Sequence, residues 1–168
     1  MQMIKNLLSE KPDTKLKENL ILFGQFIGNW RIHSTWFLSD NKQVEGEGEV
    51  SFGWILYGTA IQDVWTGKAI NPPPNFPEVG FGTTIRVFNS KIDAWNCIWI
   101  SPLSPVVATF IAKKKGKEIV LEGINERNQP ENWIYSNITS NSFDWRAESS
   151  VDGGKTWILE QIIKAKRF

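Results

Sequence analysis

The chain has 168 residues, with 19 Lys and Arg against 18 Asp and Glu, a formal net charge of +1 and a single histidine. This length suits one domain with a real core, and charges so nearly balanced create no field that would recruit nucleic acid or an anionic membrane surface. One cysteine, Cys97, excludes an internal disulfide framework and a multi-cysteine zinc site, and suits a reducing compartment.

Residues 1–13 read as a flexible tail. Met1 to Leu8 is too short an apolar run for a signal peptide, and Glu10, Lys11 and Asp13 follow it. No stretch approaches the roughly 20 apolar residues of a membrane span. The expectation is a cytoplasmic protein, monomer or homodimer, with residues 14–168 forming one domain. Pro12-Asp13-Thr14 reads as a helix start, with Asp13 or Thr14 capping the free N–H groups of the first turn. Leu16, Leu20, Phe23 and Ile27 recur at helical spacing. They predict one amphipathic helix over 14–26, ended by Gly24 and Gly28.

From Trp30 the period changes to two. Trp30, Ile32, Ser34, Trp36 and Leu38 alternate with Arg31, His33, Thr35 and Phe37. Ser39-Asp40-Asn41-Lys42 is a hairpin turn, and Val44 to Val50 returns with glutamates on one face and glycines on the other. Trp54 to Trp65 reads as a third strand region with Gly58 at a bulge. Gly67 to Gly80, with four prolines, reads as a long irregular segment at one barrel mouth. Further strands are expected near Thr83–Phe88, Ala94–Ser101, Val106–Lys113, Glu118–Ile124, Asn132–Ile138, Phe143–Ser150 and Thr156–Arg167. Pro102 with Pro105, Lys115-Gly116-Lys117 and Asp152-Gly153-Gly154 are among the breaks. Gaps this short favour consecutive hairpins. The fold class is therefore all-β: an up-and-down antiparallel barrel of about ten strands after one N-terminal helix, closed so that no sheet edge is exposed.

Phe26-Ile27-Gly28-Asn29-Trp30 resembles the F-x-G-x-W opening of the calycin superfamily, the lipocalins and fatty-acid-binding proteins. The resemblance implies that Trp30 plugs the closed end and that a basic residue of the last strand, Arg167 or Lys166, packs across it as a cation on an indole face. A broader resemblance covers residues 20–168. Trp54 to Trp65, Gly82 to Phe88, Trp95 with Trp99, and Ser150 to Trp157 are similar to an uncharacterised bacterial family of calycin-like domains. It implies the fold and carries no reaction with it.

The nine tryptophans are the richest functional signal. Trp36 shares the Trp30 face, Trp95 and Trp99 share one face, Trp145 shares that of Phe143, and Trp133 and Tyr135 share another. If these faces point inward, they line a small-molecule cavity with a few polar atoms; alternatively they fill the barrel. The expected ligand-binding set is Trp36, Trp95, Trp99, Trp145, Tyr135, Arg86 and Gln62. Arg86, if buried, needs a carboxylate partner or an anionic head group; on the outer face it needs neither.

Cys97, between Trp95 and Trp99, reads as a buried inert thiol. Glu45, Glu47 and Glu49 read as a solvated face, so no metal is expected. Residues 101–104 hold no nucleophile elbow, and no catalytic set can be assembled. The leading reading is an intracellular barrel that binds an apolar aromatic or polyene-like ligand. An alternative is a cyclase or isomerase that orients such a ligand. A third reading is a heme-binding barrel using His33; otherwise no cofactor is expected.

Overall fold

The computed structural model describes residues 2–39, 41–103 and 106–168. Asp40, Ser104 and Pro105, read above as turn or loop positions, lie outside them, as does Met1. The elements are α1 (Gln2–Leu7), β1 (Leu8–Ser9), α2 (Lys17–Gly24), β2 (Gly28–Phe37), β3 (Gln43–Ile55), β4 (Ala60–Ile70) and β5 (Val79–Asn89), followed by β6 (Ala94–Ser101), β7 (Val106–Lys115), β8 (Glu118–Ile124), β9 (Pro130–Ser136), β10 (Ser142–Ser149) and β11 (Ile158–Arg167). Strands β2 to β11 pair in sequence, all antiparallel. The last then pairs with the first, from Gln161↔Trp36 to Arg167↔Trp30. This is the closed up-and-down barrel expected from the strand spacing, in the calycin-like arrangement of a helix leading into the first strand.

Several boundaries differ from those read in the sequence. Within the segment read as a flexible tail, residues 2–9 form α1 and β1, and β1 pairs with the end of β3 through Leu8↔Ile55. Helix α2 is shorter than 14–26. Asp13 Oδ1 accepts the N–H groups of Lys15 and Leu16, which turns the chain before the helix proper begins. At the other end, Phe26 N–H bonds to Phe23 O and Ile27 N–H to Gly24 O, tightening the last turn. Trp54 to Trp65 is a hairpin, not one strand. Leu56, Tyr57 and Gly58 all have positive φ, so Gly58 sits in the reversal and not at a bulge. The segment expected to be irregular from Gly67 to Gly80 is irregular over 71–78 only; its two ends belong to β4 and β5, with Gly67 paired to Gly80.

One end of the barrel is sealed by the entering chain. Leu20, Phe23, Phe26 and Trp30 are fully buried. Phe26 lies 5.0 Å from the rings of both Tyr135 and Phe143, and Phe23 lies 5.0 Å from Trp95. Trp30 donates its indole N–H to Phe26 O at 2.7 Å. Arg167, at the end of β11, places its guanidinium 4.0 Å above the Trp30 ring. It donates to Ile27 O, Gln25 O and Ser140 O at 2.6, 2.9 and 2.8 Å. Gly28, at φ +121°, is the residue that makes room: a Cβ there would stand 2.6 Å from Arg167 Nη1.

The last hairpin is set by its turn. Asp152 accepts the N–H groups of Lys155 and Thr156 and the hydroxyls of Thr156 and Ser150, and these bonds hold its carboxyl down at about 2. Gly153 and Gly154 have φ of +74° and +91°, conformations that a β-branched residue resists.

Two outcomes are expected in denaturant unfolding. Trp30→Ala should cost about 3–5 kcal/mol, as large aromatic truncations do in a packed core. Arg167→Ala should cost a smaller, measurable amount, and parent-like unfolding of both would remove the sealed end as a source of stability. Gly153→Val combined with Gly154→Val should lower the melting temperature and weaken amide protection along β10 and β11; protection unchanged there would show that the turn does not govern their pairing.

Candidate functional site

Above the sealed end the barrel is not filled. A cavity of about 190 Å³ is lined by Ile32, Val50, Phe52, Phe143 and Ile163 together with the indoles of Trp65, Trp99, Trp133 and Trp145. These four indoles form a continuous arc, edge to face: Trp65 to Trp99 at 6.4 Å, Trp99 to Trp133 at 5.7 Å, Trp133 to Trp145 at 5.4 Å. Such geometry sets the positive edge of one ring against the negative face of the next.

Strand glycines admit these rings. A Cβ on Gly82 would collide with Cη2 and Cζ2 of Trp99, and one on Gly80 would lie 2.7 Å from the benzo ring of Trp65. Trp133 donates its indole N–H to Glu131 at 2.8 Å. Burial raises the Glu131 carboxyl above its ordinary range, and the Trp133 bond opposes that rise.

The polar atoms of the cavity come from Asp63, Thr84, Tyr135 and Gln161. Beneath them lies Arg86, 1% exposed. Its Nη1 is 2.5 Å from Asp63 Oδ2, and its Nη2 donates to the Tyr135 hydroxyl at 3.0 Å. Asp63 Oδ1 accepts the Thr84 N–H, and the guanidinium sits 5.1 and 5.4 Å from the centres of the Phe23 and Phe52 rings. Burial works against the Arg86 charge, but Asp63, joined by smaller contributions from Tyr135 and Cys97, outweighs it and the pKa rises. Burial also pushes the Tyr135 phenol up to about 12 and the Cys97 thiol up to about 12, with Arg86 opposing both. At neutral pH the phenol and thiol are uncharged, and the floor carries one neutralised ion pair.

Of the side chains singled out in the sequence, Trp99, Trp145 and Tyr135 line the cavity. Trp95 does not. It shares the Trp99 face, but four residues of strand carry it about 13 Å toward the sealed end, where Phe23 and Phe88 enclose it. Trp36 packs on Phe76, 5.4 Å away, and lies over Gly46. Gln62 donates to the Thr83 hydroxyl at 2.8 Å. Arg86 is inward and carboxylate-paired, below the cavity instead of on its wall. His33 is exposed on the outer face of β2, with Nε2 2.6 Å from Glu45 Oε2; it is not among the cavity residues. Trp65, Trp133, Asp63, Thr84 and Gln161 complete the site. Trp133 was legible through its shared parity with Tyr135, and Trp65 through the alternation Ile61, Asp63, Trp65.

In overall structure the chain is similar to the S-type phycobiliprotein lyase CPES from Guillardia theta, with a TM-score of 0.61 and 14% identity over 94% of this chain and 98% of that one. It is also similar to Rv2717c from M. tuberculosis, with a TM-score of 0.61 and 11% identity over 89% and 97%. No family model and no curated protein matches it. Among the described residues, no helix is long and apolar enough to cross a membrane.

Asp63→Asn leaves the Arg86 charge buried without its counter-ion. The expected loss of stability is about 3–5 kcal/mol, read from urea unfolding; a loss below ~1 kcal/mol would mean the pair is solvated, contrary to its burial.

Proposed function

We propose that the protein binds a small apolar aromatic or polyene-like molecule in the barrel cavity. The observation that carries this reading is the arc of four contacting indoles around a cavity that side chains leave unfilled. A core built only for stability closes such spaces, because each lost contact weakens packing. The volume of about 190 Å³ exceeds the roughly 150 Å³ of an engineered apolar cavity that takes up benzene. It suits one or two rings, and a longer conjugated chain would continue past Trp145 and Gln161 toward solvent. Trp99, Trp145 and Tyr135, with Trp65 and Trp133, are the proposed contacts. The likeness to a phycobiliprotein lyase supports a barrel of this fold that takes a small organic ligand.

The same floor argues about charge. Asp63 already neutralises Arg86, so an anionic head group would have no free cation to meet there, and its desolvation would go uncompensated. The proposed ligand is therefore uncharged at its inserted end.

Titration with β-ionone, a conjugated monocyclic ketone, should quench tryptophan fluorescence at micromolar concentration. Trp99→Ala and Trp145→Ala should each weaken binding at least tenfold, mainly through faster dissociation. A panel of monocyclic, bicyclic and polyene compounds that moved neither fluorescence nor melting temperature would overturn the reading.

A further inference from the structure

The cavity wall holds hydrogen-bond donors that the protein itself does not use. Tyr135 and Thr84 both line it and are 5% and 2% exposed. The Tyr135 oxygen accepts from Arg86 Nη2 at 3.0 Å. A guanidinium only donates, so the phenol proton is left to point away from Arg86. No described residue accepts that proton; the side-chain bond of the phenol is the one from Arg86. Thr84 gives its N–H to Asp63 and takes Arg86 Nη1 on its carbonyl, yet its hydroxyl has no partner among the described residues. The Thr84 oxygen still keeps accessible surface, and in a residue this buried that surface belongs to the cavity. The two hydroxyls are parts of one cluster, joined through Arg86 and Asp63.

Acceptors on the same wall are already engaged. The Asp63 carboxylate holds Arg86 on one oxygen and the Thr84 N–H on the other. Most of the remaining wall is indole, phenyl and aliphatic. Asp63, Arg86 and Tyr135 therefore form a relay that runs from a carboxylate through a guanidinium to a phenol proton. Each bond in such a chain polarises the next and makes the terminal proton a better donor. Burial holds the phenol up at about 12, so at neutral pH the proton is in place to be donated.

We infer that the ligand presents a neutral hydrogen-bond acceptor, a carbonyl oxygen joined to its apolar body, to the hydroxyls of Tyr135 and Thr84. The inference rests on the binding reading above and narrows it from hydrocarbons to carbonyl compounds. A pure hydrocarbon would leave both hydroxyl protons buried and unpaired, and a site built to donate rejects an analogue that cannot accept. A carboxylate would stand beside the Asp63 charge, with Arg86 already neutralised. An ammonium or amide N–H would bring a further donor to a wall that has donors to spare. A carbonyl accepts two hydrogen bonds, carries no charge and brings no donor.

Acetophenone and α-methylstyrene test this, because they share one shape and differ only in C=O against C=CH2. Calorimetric titration gives the affinity of each for the parent and for Tyr135→Phe. The variant should weaken acetophenone about fivefold more than α-methylstyrene, the worth of one net hydrogen bond. Comparing each ligand across the two proteins cancels their unequal hydrophobicity. Acetophenone labelled with 13C at the carbonyl gives a second readout on the parent alone, which stands should Tyr135→Phe disturb folding. On binding, its carbonyl resonance should lie downfield of its value in hexane, as it does when the oxygen accepts a hydrogen bond. Equal weakening of the two ligands by Tyr135→Phe, or a bound carbonyl resonance at the hexane value, overturns the inference and leaves the cavity reading intact. So does binding of α-methylstyrene alone. Binding of neither overturns it as well, and the panel of monocyclic, bicyclic and polyene compounds then decides whether the cavity reading falls with it.

Discussion

The contact between Arg167 and Trp30 joins the two ends of the barrel. It lies where the last strand of the barrel meets the first, a pairing that no hairpin enforces. A two-strand seam between distant parts of a chain requires loop closure over most of its length, and side-chain contacts at the seam must offset that entropy. Here the guanidinium stacks on a buried indole and also takes up three backbone carbonyls, two from the chain leaving α2 and one from the turn before β10. The contact thus fixes the helix exit, the first strand and the last strand together. Gly28 is part of the same device, because only a residue without Cβ leaves the guanidinium its space.

With that end sealed, the barrel becomes asymmetric along its axis. Phe23 and Phe26 fill the lower half, with Trp95, Tyr135 and Phe143 around them. The helix contributes nothing to the upper half, and the inward residues of ten strands do not close it. The indoles there cover the wall instead of the centre. They lean across neighbouring strands, and glycines such as Gly80 and Gly82 leave the hollows into which they lean.

Between the halves sits the Asp63–Arg86 pair with the Tyr135 hydroxyl. A buried ion pair contributes little net stability, because desolvating two charges opposes their attraction. Its effect here is positional. It holds Asp63, Thr84 and Tyr135 in one arrangement at the base of the cavity, and it leaves that base electrically neutral. Cys97, close by, is an uncharged thiol in the same buried layer.

The order of helix, glycine, tryptophan and about ten strands was legible from the sequence, because helical and strand periods are local and short turns allow few topologies. So were the strand faces that carry the aromatics, since alternation follows from the pleat alone. Depth along the axis was not legible. Trp95 and Trp99 are indistinguishable by parity, and only the placement of Phe23 makes one of them core and the other wall. The partner of Arg86 was equally hidden: Asp63 lies on the neighbouring strand, two residues out of register with it, since Asp63 pairs with Thr84. The reversal at Leu56 to Gly58 was missed because two of its three positive φ values fall on Leu and Tyr, residues that give no turn signal, and Gly58 alone reads equally as a bulge. Periodicity and turn chemistry act over a few residues and are written in the sequence, whereas which side chains meet inside a closed barrel depends on register and on where the helix enters, and these exist only once the chain has folded.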